Sequence, residues 1–223
     1  MTLEELRDHV RLVTLIEDTN VTDAQVNRLI NQGLHEVSVA FPWPWLETSV
    51  DLSLTADVRW IDLPDNYDYG IVLVDDDYDE ALDHVSAKRF FEMVGNDTGN
   101  EGANPKFWTI FDGKIYVHPI PTANDADRYT LYYYSEVSDL SIDSDEPEFH
   151  EGYHWILVEY CKWKLFDREE YFDQAERAFI AYTRYLNDMI SWYGSPIKKS
   201  PFLWGDGRHG RRGDPNIPSL NDV

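Results

Sequence analysis

Apolar and polar positions are most strongly ordered between Glu146 and Tyr193. From Tyr153 to Phe166 the chain is apolar nearly all round, through Trp155, Ile156, Leu157, Val158, Tyr160, Cys161, Trp163 and Leu165. A helix of that kind needs cover on most of its sides. The residues that follow carry one stripe, Phe172, Ala175, Phe179, Tyr182, Leu186, Met189 and Tyr193, at three- and four-residue steps. Asp173, Glu176, Arg177, Arg184, Asn187 and Asp188 fall on the other side, the pattern of an amphipathic helix. Between the halves, Asp167 and Glu170 read as a capping box that starts the second helix, with Phe166 and Tyr171 as its hydrophobic staple. Two packed helices are therefore expected, and the first needs partners from elsewhere in the chain.

Those partners are predicted near the N-terminus. Residues 2–16 place Leu3, Leu6, Val10 and Val13 on one helical face, behind a Thr2/Glu5 capping box. Residues 23–41 do the same with Val26, Leu29, Ile30, Gly33, Leu34, Val37 and Phe41, behind Thr22 and Gln25. Phe41-Pro42-Trp43-Pro44-Trp45 ends that helix, because a residue before proline is pushed out of helical geometry, and an extended exit is expected.

From Glu47 to Val137 the period changes to two. Val50, Leu52 and Leu54 alternate with Asp51 and Ser53, and further strands are predicted at 59–63, 70–74, 106–111, 114–118 and 128–135. Asp112-Gly113 sits between two of them as a tight hairpin turn. One short helix, Ala87 to Val94, starts after Ser86. The fold class is α+β: a four-helix layer from residues 1–45 and 146–193, and a β-rich, barrel- or sandwich-like insertion over 46–145. Residues 194–223, with Pro196, Pro201, Pro215 and Pro218, hold neither period and read as an extended C-terminal arm.

Charge sharpens this division. The net charge is -23 over 223 residues, yet the arm carries five basic and three acidic residues, a net of +2, against -25 for the rest. An acidic body does not wrap nucleic acid, and a basic tail upon it suggests a partner of its own. A salt-adapted host would also give such a surface. The start of the chain is acidic and lacks the basic and apolar run of a signal peptide, and no stretch approaches the ~20 apolar residues of a membrane span. The one cysteine, Cys161, falls in the most apolar helix and reads as a small buried hydrophobe.

Few motifs point to chemistry. His150-Glu151-Gly152-Tyr153-His154 fits the zincin spacing, in which two histidines share a helical face and the glutamate acts as base. Here it lies at a helix start and holds a glycine, so helix-start residues are the better reading. Asp75-Asp76-Asp77-Tyr78-Asp79-Glu80 begins like a calcium loop, but Glu80 stands where the turn needs glycine and Ser86 where the bidentate glutamate belongs. Tyr132-Tyr133-Tyr134 reads as strand filling before it reads as a sugar platform. No metal, cofactor or catalytic group is predicted.

The order of these parts resembles the head-to-tail adaptor, or connector, proteins of tailed phages. The likeness rests on Phe41-Pro42-Trp43-Pro44-Trp45-Leu46, then Ile61-Asp62-Leu63-Pro64-Asp65-Asn66-Tyr67, Asn104-Pro105-Lys106-Phe107-Trp108 and Ile115-Tyr116-Val117-His118-Pro119-Ile120-Pro121. Tyr129-Thr130-Leu131-Tyr132-Tyr133-Tyr134 follows, with the entry to the last helices through Asp143-Ser144-Asp145-Glu146-Pro147-Glu148-Phe149-His150. It covers about residues 2–193. The resemblance implies a structural protein of the virion, made in the host cytoplasm, with no enzyme activity and no membrane partner. It implies a homo-oligomeric ring of about twelve copies between the portal protein and a downstream tail or nozzle protein. Duplex DNA would pass through the ring, at ejection, without specific binding. The arm would climb onto the portal, and Lys198, Lys199, Phe202, Trp204, Arg208, Arg211 and Arg212 are its expected docking residues. Two other readings stay open: a tail-associated carbohydrate-binding module built on the aromatic strands, and a zinc-dependent hydrolase using His150 and His154.

Overall fold

The structure, a computed structural model, describes residues 1–15, 21–95 and 104–194. Within them the chain is α+β, with five α-helices and two β-sheets. Helix α1 (Leu3–Thr14) starts as its sequence predicts: Thr2 N–H donates to Glu5 Oε2 at 3.0 Å, and Glu5 N–H donates to Thr2 Oγ1 at 3.2 Å. Helix α2 (Asp23–Val39) starts with Thr22 N–H donating to Gln25 Oε1 at 2.9 Å. Leu3, Leu6 and Val10 of α1 and Val26, Ile30, Gly33, Leu34 and Val37 of α2 are buried on the predicted faces. The exit from α2 differs from expectation. Trp43 is extended, but Pro44–Leu46 wind one 3₁₀ turn, which proline tolerates at its first position.

Helix α4 (Trp155–Arg168) packs against α1, α2 and α5 (Phe172–Gly194), which explains why it is apolar on most sides. Gly33 lets α2 come close to it: a Cβ there would lie 2.8 Å from Tyr160 Cδ1. Cys161 is fully buried in this core, and burial pushes its thiol pKa up, so it stays protonated and inert.

The break between α4 and α5 falls where expected but is built differently. Asp167 belongs to α4 and does not cap α5. Glu170 adopts a left-handed conformation (φ 62°), its N–H donates to Asp167 O at 3.2 Å, and Tyr171 N–H donates to Phe166 O at 2.9 Å. That is a Schellman stop for α4, and the Phe166–Tyr171 ring contact is the apolar pair that accompanies it. The stripe on α5 is also corrected in part. Ala175, Ala178, Tyr182 and Met189 are buried, whereas Phe172 and Phe179 are exposed.

The β-rich part has two four-stranded sheets. One has the order β1 (Glu47–Leu54), β8 (Asp125–Ser135), β3 (Tyr67–Asp75), β4 (Glu80–Ala81). The other has the order β2 (Trp60–Asp62), β7 (Lys114–His118), β6 (Phe107–Phe111), β5 (Asp83–His84). Asp112 and Gly113 both have positive φ, 52° and 68°, as the tight β6–β7 turn requires. Leu52, Leu73, Trp108, Ile115, Val117, Tyr129 and Leu131, drawn from both sheets, share one apolar core. A second short helix-forming stretch, α3 (Ala87–Gly95), begins with Arg89 N–H donating to Ser86 Oγ at 3.4 Å.

The chain leaves the helices at Leu46 and returns after Ser135, and these two crossings touch. Glu47 pairs with Tyr134, and Ser135 Oγ donates to Leu46 O at 3.3 Å. The return segment then lies along the helices. Asn31 donates to Leu140 O (3.1 Å) and accepts from its N–H (3.0 Å), Arg7 pairs with Asp143 (3.1 Å), and Leu3 N–H donates to Asp145 O (2.8 Å). Val137, Leu140 and Phe149 join the apolar core of the helices.

Candidate assembly surfaces

Tryptophan, tyrosine and histidine rings gather where α5 ends. Trp43 is wholly buried, and its Nε1–H donates to Val37 O at 2.6 Å. Its ring stacks on Trp45 at 4.4 Å and meets Tyr193 edge-on at 5.7 Å. Trp45 touches Tyr193 and Phe149 in turn, Trp192 lies 5.4 Å from His150, and His150 N–H donates to Tyr193 Oη at 3.0 Å. The last turn of α5 is thereby fastened to the exit of α2 and the start of α4. Nothing in the sequence singles out Trp192: its ring contacts with His150 and Tyr153 join positions about forty residues apart, and no local spacing reports that. The expected docking residues Lys198, Lys199, Phe202, Trp204, Arg208, Arg211 and Arg212 lie outside the described residues.

The zincin-like motif is not laid out as a zincin. Glu151–Tyr153 form a 3₁₀ turn, and α4 starts only at Trp155, so the two histidines do not share a helical face. His150 Nδ1 accepts from Gly152 N–H at 3.0 Å. His154 is buried, with Nε2 2.9 Å from Phe149 O and Nδ1 2.7 Å from the Met1 amine. Both its ring nitrogens are thus engaged. Among the described residues, no three His, Cys, Asp or Glu side chains gather in a way that could hold a metal ion.

His154 gives a pH dependence with a definite sign. Burial, chiefly, lowers its pKa below the ordinary value of 6.5, against the hydrogen bond to Phe149 O, and the charge of the nearby amine adds to the lowering. The unfolded chain then takes up a proton before the folded one. Stability from this group is full above about pH 6.5 and is lost as pH falls from there toward the lower folded value, by up to about 1.4 kcal/mol per pH unit. Urea midpoints at pH 7.5 and 5.5 should fall with pH in the native chain and fall less in His154→Gln. Equal falls in both would assign the effect elsewhere.

The acidic turn after β3 is organised by one cation. Arg128 Nε and Nη2 donate to Asp75 Oδ1 and Oδ2 at 2.8 and 2.7 Å, and Nη2 also donates to Asn104 Oδ1 at 3.0 Å. Asp77 and Asp125 stand at 3.3 and 3.5 Å. The hydrogen bonds to Asp75 hold the guanidinium even more firmly protonated. Asp75 is therefore one half of a buried ion pair, not the first place of a calcium loop. On β8 the three tyrosines alternate. Tyr133 points into the core and donates to Asn66 Oδ1 at 2.9 Å, while Tyr132 is exposed. Tyr134 stacks on Tyr69 and donates to Glu47 at 3.0 Å; desolvation, with that carboxylate beside it, pushes its pKa up to about 12.

Ion pairs and ring stacks thus fix the shape of the described residues. Residues 1–199 match the model of the SU10 adaptor protein family, and the chain belongs to that family, in keeping with the phage head-to-tail adaptor resemblance. It is accordingly a structural adaptor of the virion. No curated protein matches the chain.

Proposed function

We propose that copies of this chain close into a ring between portal and tail, that DNA passes through its centre, and that residues 195–223 dock on the portal. The observation that carries this reading is the family match over nearly the whole chain. The arm's composition supports the docking role. It is the basic segment of an acidic chain, and Phe202-Leu203-Trp204 is an apolar island within it. Arg208, Arg211 and Arg212 offer bidentate contacts to carboxylates, and Trp and Arg are where interface energy concentrates. Some thirty residues span up to ~100 Å when extended, enough to pass a neighbouring subunit. In this reading residues 1–45 with 146–193 form the helical part of the ring wall, and 46–145 its β-rich part. A wall carrying the -25 of residues 1–193 repels a sliding polyanion and does not grip it.

The test deletes residues 196–223. The expected product folds, with unchanged circular dichroism, but no longer joins DNA-filled heads, while Trp204→Ala and the Arg211→Ala/Arg212→Ala pair attach in part. Full attachment by the truncated chain would move the docking site to the helical body.

A further inference from the structure

One side of the sheet of β1, β8, β3 and β4 is uncovered. Its inner side meets the other sheet through Leu52, Tyr129 and Leu131, whereas no helix among the described residues packs extensively on β1, β8 or β3. The uncovered side is aromatic at its centre. Tyr132 stands opposite Ser49 of β1 and Val72 of β3, and Tyr134, next along that side of β8, stacks on Tyr69. Tyr69, Ile71 and Tyr132 are 43%, 47% and 43% exposed, too much apolar surface to be left by chance on one sheet. Glu47, Ser49, Ile71, Val72 and Tyr132 line one open groove there. The four strands carry seven carboxylates against one base, Arg128, which is already paired with Asp75. An occupant of this face is therefore apolar at its centre and basic at its flank.

The chain itself supplies such a segment at short range. α5 ends close by: Tyr193 lies 4.8 Å from Trp45, and Glu47, the first residue of β1, follows two positions later. After Gly194 come residues 195–223, net +2, which open with Lys198, Lys199 and the island Phe202-Leu203-Trp204. At about 3.4 Å per residue, the lysines reach about 14–17 Å from Gly194 and the island about 27 Å. The lysines can thus meet Glu47, and the island can lie over Tyr132, about 7 Å further along the strands. Exposed Phe172 at the far end of α5 is beyond the island's reach, since 22 residues of helix put it about 33 Å from Gly194. The tether also favours this occupant over a separate molecule, because a linked segment binds as if present at about millimolar concentration, so a small contact suffices.

We infer that, before assembly, residues 198–204 lie on this face of their own chain, with the lysines toward Glu47 and the apolar island on Tyr132 and Ile71. The sheet then stores the arm. Side chains proposed to dock on the portal stay covered until the portal displaces them, and the unassembled chain does not offer Phe202 and Trp204 to other copies.

The test uses the full, unassembled chain, whose one native cysteine is buried. Ser49→Cys/Ser200→Cys leaves both the groove floor and the island intact. On mild oxidation it is expected to form an internal disulfide and to stay monomeric on a non-reducing gel. Adding Ile71→Asp or Glu47→Lys should slow that link about tenfold, as the docked population falls. In the chain without added cysteines, trypsin should cut after Lys198 and Lys199 about tenfold more slowly than in Ile71→Asp, because cleavage tracks the open population. Linked dimers would put another copy's arm on the face and overturn the inference. So would an internal link indifferent to both substitutions, which is collision of a free tether, or equal cleavage in the native and Ile71→Asp chains. With portal rings added the link should form more slowly; an unchanged rate would keep the sheet contact and count against portal docking by these residues.

Discussion

Replacing Arg128 with Met is expected to cost about 3–5 kcal/mol, as breaking a buried ion pair from one side does. The Arg128 side chain is 11% exposed and Asp75 6%, so the carboxylate left behind has little access to water. Asp75 would keep the hydrogen bond from Asp77 N–H at 3.2 Å and lose the two stronger ones from the guanidinium. Arg128 also holds Asn104, Asp77 and Asp125, so the turn after β3 and the start of β8 would loosen with it. The pair itself is no proof of net stabilisation, since an apolar replacement of both partners is often neutral. That gives a discriminating variant: Arg128→Met with Asp75→Leu should be more stable than Arg128→Met alone. Urea denaturation of the three chains reads this directly. A single mutant with the native midpoint, or a double mutant less stable than the single, would show that the pair is solvated and weak.

Trp43→Ala should cost a similar amount, about 3–5 kcal/mol, as truncation of a buried large ring does. Here the loss is of packing more than of charge. Trp43 has no exposed surface, touches Phe41, Trp45 and Tyr193, and supplies the donor to Val37 O. Trp43→Phe keeps most of the ring contact and removes only the donor, so it should cost about 1–3 kcal/mol. Thermal denaturation followed by near-ultraviolet circular dichroism separates these. Because Tyr193 leans on Trp43, the Ala variant should also free the last turn of α5, seen as faster amide exchange at residues 190–194. A change below about 1 kcal/mol would mean that the aromatic joint decorates the surface and does not hold it.

What the sequence could announce was what depends on near neighbours. Thr2 with Glu5 states a helix start within one turn, and Asp112-Gly113 states a hairpin within two residues; both stand as read. The stop at Glu170 was not legible, because a left-handed glutamate leaves no mark where glycine would have. β4 and β5 have two residues each, too short for any period, and the parallel pairing of β5 with β6 is a product of tertiary packing. Phe172 and Phe179 have the spacing of a buried stripe, but spacing cannot say whether the cover is another part of the chain or another molecule. The Arg128–Asp75 pair joins residues 53 apart, so it became visible only once β3 and β8 lay side by side.

The two crossings between helices and sheets have a mechanical consequence. β1 and β8 are antiparallel neighbours that enter the helical part at the same end, at Leu46 and Ser135, and are bonded to each other there. A load that draws the sheets away from the helices pulls both strands in one direction at once. Their shared ladder then feels no sliding and no peeling, and the force divides between two plies. Tension between the two parts would run through this ribbon as a two-ply strap, yielding first where the strap is sewn to its neighbours: at the Asn31–Leu140 bonds and the pairing of β8 with β3.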